Sequence, residues 1–120
     1  MGNTGNWSDL THWASSTGGA GSAYGSLPGL GDNVSFDANS FSIVGQTVTV
    51  DVSGTMANLD FSGVTNNPDF TGALTESMTV SGDILFVGGF THTFLGNYIL
   101  TGVGSQDVTS AGQSFNNNII

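Results

Sequence analysis

The chain has 120 residues, 19 of them glycine, with no lysine, arginine or cysteine, and its nine acidic residues give a formal charge of −9. One domain is expected at this length. The missing cations argue against phosphate-tracking nucleic-acid binding and against docking on anionic lipid, since both draw affinity from Lys and Arg. No thiol is available for a disulfide, a Cys-ligated zinc or a redox motif, and no apolar run approaches the ~18 residues of a membrane helix, so membrane insertion is not expected either.

Residues 1–31 form a distinct block. Trp7 and Trp13 come early, followed by a Gly/Ser/Ala stretch from Ser15 to Gly31. Such a stretch has few side chains to bury and high chain entropy, so it reads as an arm that becomes ordered only when something packs over it. No basic and apolar leader precedes it, so display outside a cell would require a removed address or transport within a larger particle.

Residues 32–120 read as a domain of short strands. Only 8% of all residues are charged while 38% are hydrophobic, and the polar surface is built from Ser, Thr, Asn and Gly, which favour strands and turns over helices. The first strand signal is Asn33 to Phe36. Gln46 to Val52 follows, where strict alternation puts Val48, Val50 and Val52 on one face and Thr47, Thr49 and Asp51 on the other. Further strands are expected at Met56–Phe61, Glu76–Val80, Asp83–Val87, Thr91–Phe94, Tyr98–Thr101, Gln106–Thr109 and Gln113–Ile120, separated by Gly- and Asn-bearing turns.

This rhythm predicts an all-β fold, a short parallel β-solenoid with a Gly-rich N-terminal arm, with an antiparallel β-sandwich as the alternative. Stretches beginning at Thr47, Ser77 and Asn97 each run as an alternating strand into a Gly corner and a further strand. Their period of roughly 20–30 residues suits solenoid coils. The segment Asn116-Asn117-Asn118-Ile119-Ile120 resembles a strand with an open edge, and open edges invite other chains.

Several phrases carry a resemblance. They are Asn6-Trp7-Ser8 with Thr11-His12-Trp13, Leu27-Pro28, Gly31 to Phe41, Asp60 to Pro68, and Thr109 to Phe115. Together they resemble a repeat unit of large phage-borne and bacterial surface proteins, most of them uncharacterised. The resemblance implies a right-handed β-helix-like stalk displayed on a virion or cell surface, and it transfers no functional residues. Such units usually stand in tandem, whereas this chain carries one, so a stalk segment and a small self-associating subunit both fit.

Candidate sites follow from residue chemistry. Trp7, Trp13 and Tyr24 offer flat faces for stacking a glycan, and the same rings would anchor the arm to the solenoid or to a neighbour. Asp32, Asn33, Asp37 and Asn39 offer oxygen ligands for a weak calcium site at Asp32, Asp37 and Asn39, although Asx residues at this spacing are also standard turn formers. Ser8, Asp9 and His12 have the residue types of a nucleophilic triad but no oxyanion hole. Carboxylates among Asp51, Asp60, Asp69, Glu76 and Asp83 would serve glycoside cleavage only if two faced each other across a groove. Thr47-Val48-Thr49 and Thr91-His92-Thr93 suggest rows of threonine on a flat face, too few for a regular water-ordering array.

The expected function is therefore non-enzymatic. The chain reads as a self-assembling subunit or segment of an extracellular filament, virion fibre or capsid-decorating assembly, a homo-oligomer (trimer or filament) held by Trp7, Trp13, Tyr24, Ile119 and Ile120. A capsid or other surface protein is the further partner expected in that setting. The competing expectation is a carbohydrate-binding or adhesin module on a surface-displayed scaffold. No cofactor is expected beyond calcium.

Overall fold

The computed structural model describes residues 3–19, 21–115 and 119–120. Its strands are β1 (Gly5–Asn6), β2 (Val34–Ser35), β3 (Thr47–Val50), β4 (Gly54–Met56), β5 (Leu59–Asp60), β6 (Asp69–Gly72), β7 (Ser77–Val80), β8 (Ile84–Leu85), β9 (Thr91–His92), β10 (Asn97–Leu100) and β11 (Val108–Thr109). They form three sheets, ordered β1-β3-β6-β9, β4-β7-β10 and β2-β5-β8-β11. Every pairing between these strands is parallel. The chain visits the three sheets in turn as β3-β4-β5, β6-β7-β8 and β9-β10-β11, which makes three coils of a parallel β-solenoid rather than a sandwich. On one side β1 and β2 extend the first and third sheets, and on the other Ile119 bridges Tyr98 in parallel.

Register sets the repeat. On the first sheet Thr47 pairs with Asp69 and Asp69 with Thr91, an advance of 22 residues per coil. On the third sheet Val34, Leu59, Ile84 and Val108 pair in succession, at steps of 25, 25 and 24. Ser77 and Asn97 do occupy equivalent places on the second sheet, but the stretch at Thr47 belongs to the first. The alternation in Thr47–Val50 resembles that of β7 because both strands bury every second residue, and alternation alone does not tell one wall of a solenoid from another.

Parallel register stands each inward side chain on its equivalent in the next coil. On the third sheet one column runs Val34, Leu59, Ile84, and the next position brings Phe36, Phe61 and Phe86 together, with Phe36 stacked on Phe61 at 4.6 Å and Phe61 edge-on to Phe86 at 5.5 Å. The corner before that sheet carries a polar ladder. Asn58 donates from Nδ2 to Asn33 Oδ1 (2.7 Å), the Asp83 N–H donates to Asn58 Oδ1 (2.6 Å), and the Asp107 N–H donates to Asp83 Oδ1 (2.9 Å). These side chains extend the main-chain pairing around a corner where the backbone turns out of the sheet.

Two glycines are required by close packing. The Trp7 N–H bonds to Thr49 O (2.7 Å), which places Trp7 beside Val50 and turns its indole into the core. A Cβ on Gly54 would lie 2.9 Å from that indole, and one on Gly72 would lie 2.7 Å from Val50 O and 2.8 Å from the Phe94 ring. Trp7 and Phe94 thus fill space that the bare backbone leaves open. The Trp7 indole Nε1 is buried without a hydrogen-bond partner, so its contribution is apolar area.

Among the described residues His92 is the one buried polar or charged residue outside the apolar core set, 6% exposed, among the rings of Phe70, Phe86, Tyr98 and Phe115. Its Nδ1 lies 2.7 Å from Ser114 O and its Nε2 lies 2.7 Å from the Tyr98 hydroxyl. A carbonyl only accepts, so Nδ1 carries the proton and Nε2 accepts from Tyr98. Burial lowers the His92 pKa from 6.5, against the opposing pull of the Ser114 carbonyl and the Asp69 charge.

Two expectations follow. Gly54→Val should drive a side chain into the Trp7 indole and cost about 1–3 kcal/mol in thermal or denaturant unfolding. Because the unfolded chain binds a proton at His92 below pH 6.5 while the folded chain resists it, stability should be level from that pH up to the tyrosine range at 10.0 and fall as the pH drops toward the depressed folded value. In a Tm-against-pH series, His92→Gln should remove this first decline. A second decline should remain below pH 3.8, where Asp9, Asp32 and Asp51, all held below that value in the fold, take up protons on unfolding.

Candidate functional site

The chain between β1 and β2 makes a roof over the first coil. Asp9 starts it by accepting from the N–H (3.0 Å) and hydroxyl (2.7 Å) of Thr11, which fixes a single helical turn at Leu10–His12. Beyond Trp13 the chain doubles back. Ala14 bridges Ala23 in antiparallel fashion, the Ser15 N–H donates to Ser22 O, and the Tyr24 N–H donates to Trp13 O (both 2.9 Å), so residues 13–19 and 21–24 form the two legs of a flap. The return leg is tied down along the second sheet. Thr55 donates its hydroxyl to Pro28 O (3.2 Å), Ser81 to Leu30 O (3.1 Å), and the Ala57 N–H to Asp32 O (2.7 Å).

Between flap and coil lies a chamber of about 380 Å³. Its apolar lining comes from Trp7, Trp13, Val34, Phe36, Phe41 and Val48, and its polar lining includes His12, Ser16, Tyr24, Asp32, Asp37 and Asn39. Trp13 is held by its own Nε1, which donates to Trp7 O (2.9 Å), and its ring meets that of Trp7 at 4.6 Å and 72°. The Gly18 N–H reaches down to Asp37 Oδ2 (2.6 Å), with Gly18 at φ 82°, a conformation that a residue with a side chain rarely adopts.

The residues singled out from sequence fall in three places. Trp7 is 1% exposed and contributes to the core of its own chain, Trp13 is a half-buried wall of the chamber, and Tyr24 stands at its rim, 40% exposed. Ile119 and Ile120 are at the far end of the solenoid, where the Ile120 N–H donates to Tyr98 O and Ile120 O accepts from Leu100 (both 2.8 Å). Both isoleucines remain exposed, at 43% and 64%. Residues 116–118 of the expected final strand lie outside the described residues.

Asp32, Asp37 and Asn39 all line the chamber, with the two carboxylates engaged locally. Asp32 Oδ2 accepts from the Gly29 N–H and the Tyr24 hydroxyl (both 2.8 Å), and Asp37 Oδ1 accepts from the Asn39 N–H (2.9 Å). The Asp37 contact is an Asx turn, whereas Asp32 reaches back to Gly29 across a turn that its own N–H closes on Gly29 O (2.9 Å). Among the described residues, no group of three His, Cys, Asp or Glu is gathered that could hold a metal ion.

Ser8 is turned away from the Asp9–His12 pair (3.4 Å) and gives its hydroxyl to Asp51 Oδ2 (2.6 Å), so the three do not form a relay. Asp60 and Asp83 share a shallow depression with Asn33, Asn58 and Leu85. Outward on the first sheet, Thr49 pairs with Thr71, and Thr93 donates to Asp69 Oδ1 (2.7 Å), the residue that interrupts the row from Thr47 to Thr91.

Sequence reasoning did not anticipate the floor of the chamber. Phe36 stands in an expected strand and Phe41 in none, and their joint place in the lining depends on how the flap lies over the first coil. The electrostatics are simple, since the chain has no Lys or Arg to offset Asp32 and Asp37. The Gly29 N–H and then the Tyr24 hydroxyl hold Asp32 below the ordinary carboxylate value. The reciprocal hydrogen bond, with burial and the Asp32 charge, raises Tyr24 above 10.0. Comparison with protein-family models, with curated proteins and with solved structures finds no match for this chain.

An ultraviolet titration of the two tyrosines checks the rim. Tyr24 should ionise above pH 10.0 in the folded protein and return toward that value in Asp32→Ala. Tyr98, raised much further by burial, should ionise only as the protein unfolds.

Proposed function

We propose that the protein is a non-enzymatic structural subunit or segment of an extracellular filament, virion fibre or capsid-decorating assembly, and that it self-associates through the solenoid end that bears β9, β10 and β11. The observation that carries this reading is the inequality of the two ends. One is roofed by the flap with Trp7 and Trp13, whereas at the other, among the described residues, β9 and β11 are the last strands of their sheets, Gln113, Ser114 and Phe115 pack over the inward columns, and Ile119 and Ile120 are exposed beside β10. A parallel strand edge has unpaired N–H and C=O groups that an incoming strand satisfies. The resemblance to repeats of virion and surface proteins points the same way.

The side walls suit crowded packing in such an assembly. Outward positions on the first and second sheets are mostly hydroxyls, at Thr47, Thr49, Thr71, Thr91, Thr55, Ser77 and Thr79, with the Asp69 carboxylate among them accepting from the Thr93 hydroxyl. A capsid or another surface protein would meet the same largely neutral wall. A second reading, a carbohydrate-binding module on a displayed scaffold, is favoured by the chamber and its Trp13 and Tyr24 walls.

Native mass and negative-stain imaging across concentration test the assembly reading. The wild-type chain should form a discrete oligomer or filaments, and the double variant Ile119→Lys/Ile120→Lys should remain monomeric with unchanged strand circular dichroism. A wild-type chain that is monomeric at every concentration and salt would sink the proposal. Loss of assembly in a chelator would assign calcium a role at the Asp32 to Asn39 turn.

A further inference from the structure

Resting on the second, carbohydrate-binding reading, we propose that the chamber beneath the flap binds one or two sugar residues of a neutral glycan, with Trp13 as the stacking wall and Asp32 and Asn39 as acceptors and donors for ring hydroxyls. Its volume of about 380 Å³ lies at the small end of the ~300–1,000 Å³ typical of ligand sites. Its lining sets the rings of Trp13 and Phe36 beside the carboxylates, amide and hydroxyl of Asp32, Asp37, Asn39 and Tyr24, which suits a pyranose with one C–H face and a rim of hydroxyls.

Charge narrows the class. With Asp32 and Asp37 in the lining and no Lys or Arg anywhere in the chain, an anionic sugar would enter a negative chamber with nothing to pair with. Hydrogen bonds from hydroxyls to a carboxylate are stronger than those to neutral acceptors. Asp32 has capacity for them, because the Gly29 N–H and the Tyr24 hydroxyl both fall on Oδ2 while a carboxylate has about four lone-pair sites.

The walls are held before any ligand arrives. The Trp13 ring is fixed by its bond to Trp7 O, Tyr24 by its bond to Asp32, and the flap by Gly18 on Asp37. Fixed walls reduce the ordering cost of binding. The chamber and the strand edges lie at opposite ends of the solenoid, so binding without assembly and assembly without binding are separate outcomes.

Calorimetry and tryptophan emission on the full chain test this, with maltotetraose, cellotetraose, mannotetraose and chitotetraose as neutral probes, sialyllactose as the anionic control and chitosan tetramer as the cationic one. At least one neutral probe should bind with Kd below ~5 mM, the range of a small site of this kind, and should shift the emission. Trp13→Ala should weaken that binding by about tenfold or more, equivalent to ~1.4 kcal/mol. Because Trp13 is partly buried, Tyr24→Ala, at an exposed position, serves as the second variant and should weaken it several-fold with the fold intact. The proposal is overturned if no neutral probe binds at ~10 mM, well above that range, if affinity is unchanged in whichever of the two variants folds, or if either charged control binds tighter than every neutral probe.

Discussion

In-register parallel pairing between coils governs the rest of this molecule. Once the N–H groups of one coil bond to the C=O groups of the next, each side chain stands directly on its counterpart, about 4.8 Å away. Chemical likeness between counterparts then becomes either a gain or a hazard. Phe36, Phe61 and Phe86 gain a continuous aromatic wall, and Asn33, Asn58 and Asp83 gain a ladder of amide and carboxylate bonds along one corner. Bulk must instead be balanced within a column. Trp7, Val50, Gly72 and Phe94 share one inward column, and the absent side chain at Gly72 lets Phe94 occupy the centre.

The hazard is charge. Nine carboxylates are stacked into a compact body without a basic residue, so none is neutralised by a Lys or Arg ion pair. The fold supplies neutral donors instead. Asp51 accepts from the hydroxyl and N–H of Ser8, Asp60 from the Ser62 N–H, Asp69 from Thr93, Glu76 from Ser53, and Asp83 from the Asp107 N–H. Several of these partners are hydroxyls, which explains why Ser and Thr crowd a sequence so poor in cations. Hydrogen bonds to the charged form offset part of the self-repulsion that a net charge of this size imposes.

Much of the fold was legible for the same reason. The alternation of Val48 and Val50 marks β3, and Gly-bearing turns mark most corners. β1 (Gly5–Asn6) escaped because it lies in the block that reads as an arm, and two further features escaped because solenoid walls and corners obey looser rules than hairpins. Met56 to Phe61 reads as one strand, yet the chain turns at Ala57-Asn58 with no glycine, because the Asn33–Asn58–Asp83 ladder holds the corner from outside. Asp69–Gly72 was not foreseen, since Phe70 is its one large apolar residue and its other inward position is Gly72. The spacing of Phe36, Phe61 and Phe86, 25 residues each time, was the sharper repeat, and it lies at the ends of the short third-sheet strands rather than in β3 and β7, whose alternation draws attention.

The site was less legible, and the reason lies in how a solenoid ends. Along the walls the core is sealed by its own strands, but at an end the inward columns are exposed and something irregular must cover them. Here Trp7 and Trp13 supply the bulk, and the remainder of the cover is a Gly, Ser and Ala stretch with little volume to fill the space over Phe36 and Val48. A roof of that composition bridges the end without packing it solid. The chamber is thus a consequence of covering a regular core with a segment poor in side chains. Its polar half comes from Asp32, Asp37 and Asn39, whose turns carry the chain from the roof back into the first coil.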